Sequence, residues 1–283
     1  MRDIFYFTDI HGMYDLYRAI MDYCNEQDPE AAIIFGGDAC DRGPSGYRIM
    51  KALLDNPKVL YLKGNHEDIF VHAAWAIERT YHGAIDEDSI SKYLLDCEFH
   101  DWADHAIRLS LYNGGYSTLH DWMLDGMPSE FVNKINDLPL TFSYENLDFC
   151  HAGGNYKAFQ QVSLNEYKGE PVDKDDMEML IWDRNYLGQG WVTNRTCIFG
   201  HTPTNYLAAK YYGKDKSTAN IHPCAYYATL DDRWTGRKID MDTAAAFSGK
   251  AYVLNCLTMK AQGFKIVDIE EKKNVKKIEC IQM

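Results

Sequence analysis

The chain has 283 residues, 46% of them hydrophobic, with 42 acidic against 29 basic side chains for a formal charge of −13. That length can bury the core of one large domain, while the acidic balance excludes nucleic acid as a partner, because phosphate contacts need a basic face. No apolar run approaches the length of a membrane span, so no membrane partner is expected either. No Pro/Gly/Ser-rich linker, repeat or low-complexity tract divides the chain, which reads as a single domain over 1–283. The eight cysteines are scattered without C-x-x-C spacing, several inside apolar runs, and the first apolar run begins at Ile4 with no room before it for a signal segment. The expected compartment is the cytoplasm.

Taken in order, Ile4-Phe5-Tyr6-Phe7 reads as a buried strand that runs into Thr8-Asp9-Ile10-His11-Gly12. A helix over 14–26 follows, with Leu16, Ile20 and Tyr23 on one face. Ala32-Ile33-Ile34-Phe35 is the second strand and leads to Gly37-Asp38-Ala39-Cys40-Asp41-Arg42-Gly43; Pro44 then opens a helix carrying Ile49, Leu53 and Leu54. Val59-Leu60-Tyr61-Leu62 leads to Gly64-Asn65-His66-Glu67 and a helix over 68–79. Short apolar strands alternating with helices predict parallel βαβ units, and such sheets bind ligands beyond the carboxyl ends of their strands. Asp9, His11, Asp38 and Asn65 are therefore expected on one rim.

The stretch 89–137 is mostly helical in pattern, with Trp102 and Trp122 expected as packing residues. Leu147-Asp148-Phe149-Cys150 runs into His151-Ala152-Gly153-Gly154, and 155–176, polar and turn-rich, reads as a loop over the rim. Thr196-Cys197-Ile198-Phe199 runs into Gly200-His201. The aromatic-rich 206–235 reads equally as cleft lining or loop packing. Alternating runs near 238–241, 251–254, 263–267 and 276–281 are expected to complete a second sheet. Lys272, Lys273, Lys276 and Lys277 suit a solvated strand edge. Six donors thus stand at five strand ends: Asp9, His11, Asp38, Asn65, His151 and His201. Oxygen and imidazole donors without thiolate suit manganese, iron or zinc.

These strings resemble the phosphoprotein phosphatase branch of the metallophosphoesterases, the PPP-type serine/threonine phosphatases, in their bacterial and phage-type form. That pattern reads G-D-x-H-G, G-D-x-V-D-R-G and G-N-H-E. Asn113-Gly114-Gly115 with Thr118-Leu119, Ile181-Trp182-Asp183-Arg184, Gly200-His201-Thr202 and Asp242-Thr243 look like its later landmarks, so the resemblance spans about 4–257. Thr8 replaces the first Gly and Cys40 the usual Val; neither change removes a donor.

The resemblance implies an α/β fold, a metallophosphoesterase-like β-sandwich flanked by helices, with a helical insertion over about 80–137. It implies two divalent metal ions, manganese first, with iron or zinc also suited. Asp9, His11 and Asp38 would hold one, and Asp38, Asn65, His151 and His201 the other, with Asp38 shared. Water activated between two ions would attack phosphorus directly. His66 would be the general acid, oriented by Asp41, while Arg42, Arg184 and Asn65 would contact the phosphate; Arg195 competes with Arg184 for that part. The implied activity is hydrolysis of phosphate monoesters in phosphoserine or phosphothreonine, making a phosphorylated protein or peptide the partner. The alternative is a symmetrical dinucleoside tetraphosphatase or another small-molecule phosphoesterase; such relatives tend to carry Ala in place of Asp41 and Asp in place of Glu67. A relative that only binds phosphoproteins should have lost donors, and all six stand here. Cys40 is expected either as a packing residue or as an oxidisable thiolate beside the metals.

Overall fold

The first three apolar runs become strands β1 (Ile4–Phe7), β2 (Ala32–Phe35) and β3 (Val59–Tyr61), separated by helices α1 (Tyr14–Gln27) and α2 (Gly46–Leu54). In this computed structural model, which describes residues 2–96, 102–184, 195–206, 224–229, 235–268 and 276–281, β1 pairs with β2 and β2 with β3, both in parallel. The βαβ expectation therefore holds. Helix α1 buries Leu16, Tyr17, Ile20 and Cys24, the stripe that a 3.6-residue period places on one side. Pro44 lies before α2 rather than opening it, since Ser45 is the cap position. Helix α3 (Asn65–Thr80) begins three residues earlier than its apolar pattern suggests. Glu67 at its third position accepts the Gly64 N–H at 2.8 Å, so the motif itself starts the helix.

The insertion consists of α4 (Glu87–Asp96), α5 (Trp102–Tyr112), α6 (Tyr116–Leu124) and α7 (Ser129–Asn136). Helices α5 and α7 pack on α3. Trp122 is fully buried with its ring edge-on to Phe70 at 5.8 Å, as a packing residue should be. Trp102 is 52% exposed and packs at the surface of α3, its ring edge-on to His72 at 6.5 Å and 5.7 Å from the Arg79 guanidinium carbon.

Strands β4 (Thr141–Tyr144), β5 (Leu147–Cys150), β6 (Thr196–Phe199), β7 (Cys224–Thr229) and β8 (Thr235–Asp240) form a second sheet in the order β4-β5-β6-β8-β7. Of the four late strands expected in that sheet, only β8 joins it. The others, β9 (Lys250–Asn255), β10 (Lys260–Asp268) and β11 (Lys276–Ile281), extend the first sheet as β11-β10-β9-β1-β2-β3. Strand β9 pairs antiparallel with β1, Tyr6 opposite Leu254, so the edge of β1 is closed by chain from the far end of the sequence. Alternation tells which face of a strand is apolar, not which edge it joins.

Residues 155–176, read as a loop, instead supply helix α8 (Tyr156–Lys168) and the start of α9 (Lys174–Ile181). Asn155 caps α8 by accepting the Ala158 N–H, and Asp173 caps α9 by accepting the Asp175 N–H. The polar residues that suggested a loop form the outer faces, while Ala158, Phe159 and Val162 are buried. In 206–235, positions 207–223 and 230–234, including Tyr211, Tyr212 and Trp234, lie outside the described residues; so do Lys272 and Lys273. Lys276 and Lys277 fall on β11, the outer strand of its sheet.

The two sheets stack face to face. Tyr6, Ile34 and Leu62 meet Phe149, Ile198 and Ile239, with the Tyr6 and Phe149 rings 5.6 Å apart. Phe5, Phe7, Ile33 and Phe35 point the other way, into the helices. Cys150, Cys197 and Phe199 pack under Phe159, Val162 and Leu180. Helices thus cover both outer faces of the sandwich. Among the described residues no helix is long and apolar enough to cross a membrane. Because Phe149 joins the sheets, Phe149→Ala is expected to cost about 3–5 kcal/mol in urea unfolding. Tyr167→Ala, at a 90% exposed position, should stay within about 0.5 kcal/mol of the parent.

Candidate metal centre

The loops leaving β1 and β2 stay bonded after the strands end. Asp9 N–H donates to Gly37 O, His11 N–H to Asp38 O and Gly12 N–H to Ala39 O, at 2.8–3.0 Å. Asp9, His11, Asp38, Asp41, Arg42 and His201 all adopt positive φ, between 44° and 68°, six of the ten such non-glycine residues described. This left-handed backbone costs about 1–2 kcal/mol per residue. The strain is concentrated where side chains turn inward together. Gly64 and Gly200 are needed for contact: a Cβ on either would run into the Asp38 or the Asp9 carboxylate.

The six expected donors are all buried and all converge. Asp38 Oδ2 lies 3.5 Å from His11 Nε2, while Asp38 Oδ1 lies 3.3 Å from His151 Nε2. Its two oxygens therefore face opposite halves of the cluster. Asp9 Oδ1 is 4.0 Å from His11 Nε2. Asn65 Oδ1 lies 3.1 Å from His151 Nε2 and 2.8 Å from His201 Nδ1.

Backbone carbonyls decide which imidazole nitrogen faces inward. His11 Nδ1 is 2.9 Å from Cys40 O, His151 Nδ1 2.8 Å from Gly36 O, and His201 Nε2 3.1 Å from Trp182 O. A nitrogen on a carbonyl must carry a proton, which leaves lone pairs on the opposite nitrogens, aimed at Asp38 and Asn65 oxygens. Carboxylate and amide oxygens turned toward imidazole nitrogens in this way fit a cation between them; a carbonyl behind each imidazole is how metal-binding histidines are oriented. Asp38, His151 and His201 offer donor atoms within 4.8 Å of one another, as do His11, Asp38 and His66.

His66 differs in kind. Its Nδ1 meets a carboxylate, Asp41 Oδ2 at 2.7 Å, and its Nε2 stands 3.9 Å from Asp38 Oδ2. The Arg42 guanidinium lies beside both rings, Nη1 2.6 Å from His11 Nε2 and Nη2 3.0 Å from His66 Nε2. Arg184 Nε lies 3.2 Å from His201 Nε2. Arg195 is engaged elsewhere, donating twice to Asp148 at 2.6 and 2.8 Å, which removes it as the competitor of Arg184.

Residues 3–226 match Metallophos, the calcineurin-like phosphoesterases. The chain belongs to this family. The asymmetrical bis(5'-nucleosyl)-tetraphosphatase PrpE of Bacillus velezensis is 24% identical over 212 residues, covering 69% of this chain and 76% of the relative. The structure of a candidate diadenosine tetraphosphatase superposes with TM-score 0.51 at 13% identity, over 92% of this chain and 91% of that one. A protein serine/threonine phosphatase of Saccharomyces cerevisiae gives TM-score 0.46 at 14% identity, over 100% and 80%. Calcineurin-like phosphoesterases work through two divalent ions, and the donor chemistry described above fits them.

Glu67, which sequence reading used only to separate two branches of this phosphoesterase family, has a structural part that reading missed. Buried, it accepts the N–H groups of Asp38 and Ala39 at 2.8 Å and the Tyr61 hydroxyl at 2.7 Å, holding the Asp38 loop by its backbone. The Gly64-x-x-Glu67 capping spacing was the available signal. The Asn113-Gly114-Gly115 and Thr118 landmark acts on the same loop from outside: Asp41 N–H donates to Thr118 Oγ1, and Arg42 N–H to Gly114 O. Thr8, the departure from pattern, donates its hydroxyl to Asp9 Oδ2 at 2.7 Å. Burial and the carboxylates of Asp41, Glu67 and Asp38 push the Cys40 thiol well up. Cys40 is fully buried, as a packing residue is.

Electrostatics separate the imidazoles. Burial, His66 and Arg42 pull His11 well down; burial, His151 and Arg184 do the same to His201. Burial is the largest single influence on His66 and His151 and opposes their charge, but Asp38 and Asp41 together outweigh it at His66, and Asp38, Asp9 and the Gly36 carbonyl together at His151. His151 reaches about 10. Burial pushes Asp38 up, yet His151 and His66 hold it well below the carboxylate range. Burial and Asp242 push Asp9 up.

Asp38→Asn should release both ions, because both halves of the centre lose a charge; metal analysis showing one ion retained at parental affinity refutes the sharing. Chelated protein should show a second signature. A His151 raised from 6.5 to about 10 on folding stabilises fully below about pH 6.5 and loses that contribution as pH climbs through about 10. Thermal melts of chelated parent should fall relative to His151→Asn across that window.

Proposed function

We propose that this phosphoesterase removes phosphate from phosphoserine or phosphothreonine in a protein or peptide, in the reducing cytoplasm. The His66–Asp41 pair carries the reading. A serine or threonine alkoxide leaves poorly without a proton, and a positioned imidazolium contributes about 10²–10⁴-fold. Bonded to Asp41 on Nδ1 and raised by Asp38 and Asp41 against burial, His66 keeps its Nε2 proton toward the centre.

Asp9, His11, Asp38, Asn65, His151 and His201 would hold two divalent ions, manganese, iron or zinc by donor type. When bound, the ions supply an activated water and charge for the phosphate oxygens. Only Asp9 and Asp38 among the six donors are carboxylates, so the loaded centre remains attractive to a phosphate dianion. Arg42, fixed by its backbone bond to Gly114, presents its guanidinium beside His11 and His66 to grip phosphate oxygens in pairs. Arg184 serves from the His201 side, and the Asn65 amide nitrogen offers a further donor. His66 then gives its proton to the departing ester oxygen while Asp41 keeps the ring in register.

A second reading, hydrolysis of bis(5'-nucleosyl) tetraphosphates, draws on the Bacillus velezensis relative. Asp41 and Glu67, both engaged as described, favour the first reading.

Metal-reconstituted protein should release phosphate from a phosphothreonine peptide, and His66→Asn should lower that turnover about 10²–10⁴-fold with metal content unchanged. On an aryl phosphate, whose leaving oxygen needs no proton, the loss should be far smaller. Equal losses on both esters would assign His66 another part.

A further inference from the structure

The two carboxylates among the donors, Asp9 and Asp38, are held in different ways. Asp38 turns one oxygen to each half of the centre, Oδ2 to His11 Nε2 at 3.5 Å and Oδ1 to His151 Nε2 at 3.3 Å. Asp9 presents Oδ1 to the centre, 4.0 Å from His11 Nε2, and its Oδ2 is engaged from behind. The Thr8 hydroxyl donates to Oδ2 at 2.7 Å, and the His201 N–H is shared between the two oxygens, 3.0 Å from Oδ2 and 3.1 Å from Oδ1. Gly37 O lies 3.3 Å from the same hydroxyl, but it is farther away and uncharged, so the carboxylate is the better acceptor. Thr8 and Asp9 are both buried, which keeps water from competing for this bond. Gly200 makes room for it, because a Cβ there would collide with Asp9 Oδ2 and with the Thr8 side chain.

Thr8 stands where the pattern that this chain resembles has Gly, and a glycine has no hydroxyl to give. The bond to Asp9 is therefore a feature of this chain's own sequence. A hydrogen bond to a ligating carboxylate fixes the plane of the group and tunes the ion it holds. With Oδ2 occupied, Asp9 offers an ion one oxygen instead of two. Calcium takes about six to eight oxygen ligands and uses carboxylates through one or both oxygens. Manganese and zinc are served by fewer donors, imidazole among them. On the His11 side the donors are Asp9 Oδ1, His11 Nε2 and Asp38 Oδ2, a set with few oxygens and a nitrogen.

We infer that Thr8 is a positioning residue that commits Asp9 to bind its ion through Oδ1 alone, and that it thereby makes the His11 side of the centre select manganese over calcium. The inference rests on the metal centre proposed above and is independent of which phosphate ester that centre cleaves. Without the hydroxyl, Oδ2 keeps only a share of the His201 N–H, and the carboxylate is free to rotate its second oxygen inward. That rotation costs a small ion the fixed ligand it needs. It gives a large ion the second oxygen it can use.

The test titrates the chelated full chain with manganese alone and with calcium alone, reading binding by calorimetry and counting bound manganese by electron paramagnetic resonance. Thr8→Val keeps the shape and removes the hydroxyl, Thr8→Ala is a second hydroxyl-free variant should valine prevent folding, and Thr8→Ser returns the donor. Thr8→Val and Thr8→Ala should hold one manganese at parental affinity and bind the other about 10–100-fold more weakly. Calcium should weaken less or strengthen, so the manganese-to-calcium affinity ratio falls, and Thr8→Ser should restore it. In a His11→Asn background, which already disables that side, adding Thr8→Val should leave the affinity of the remaining ion unchanged. An unchanged ratio in both hydroxyl-free variants, equal weakening of both bound ions, or a serine variant that behaves like valine would show that Thr8 only packs and would overturn its selecting part while leaving the centre in place. Parent protein that binds no divalent ion would instead sink the metal centre itself, and the part of Thr8 with it.

Discussion

Asp38 is the constraint around which the rest is arranged. Its two oxygens address His11 on one side and His151 on the other, and a carboxylate so buried is costly unless its partners are in place. Every neighbouring device serves that placement. Glu67 holds the Asp38 backbone N–H, Gly64 leaves room for the carboxylate, and the left-handed backbone at Asp38 turns the side chain inward. The strain of six positive-φ residues is sustained because the loops are tied to one another and to strand ends that cannot move independently.

The sandwich explains how so polar a cluster stays ordered. Tyr6, Ile34 and Phe149 interlock the two sheets two to four positions before the donors begin, so donors from both sheets meet across a rigid seam. His201 N–H bonds the Asp9 carboxylate at 3.0–3.1 Å across that seam, joining the last donor in sequence to the first. A loosely packed interface would let the halves drift apart and leave buried charges unpaired.

The four histidines divide by what stands behind them. His11, His151 and His201 each set one ring nitrogen on a backbone carbonyl and turn the other to the centre; His66 sets its Nδ1 on the Asp41 carboxylate, which favours a charged ring. The three proposed ligands and the proposed acid thus differ in the partner on the far nitrogen, although His66 is adjacent to Asn65 in sequence. Arg42 spans the two kinds, touching His11 and His66 together.

The identity and order of the donors were legible from the chain alone, because each follows a short apolar run whose end marks the edge of a sheet. Asp9, His11, Asp38, Asn65, His151 and His201 need only that local rule to be placed on a common rim. Period-two alternation likewise revealed β9, β10 and β11 but not their sheet, since strand partnership depends on which edge is open after the whole chain has packed. Polarity misled at 155–176, where caps and a buried stripe make helices from a segment rich in loop-forming residues. The choice of Arg184 over Arg195 and the work of Glu67 were decided only by tertiary structure. Each depends on a partner distant in sequence, and no local pattern encodes which of two arginines finds Asp148 and which is left facing His201.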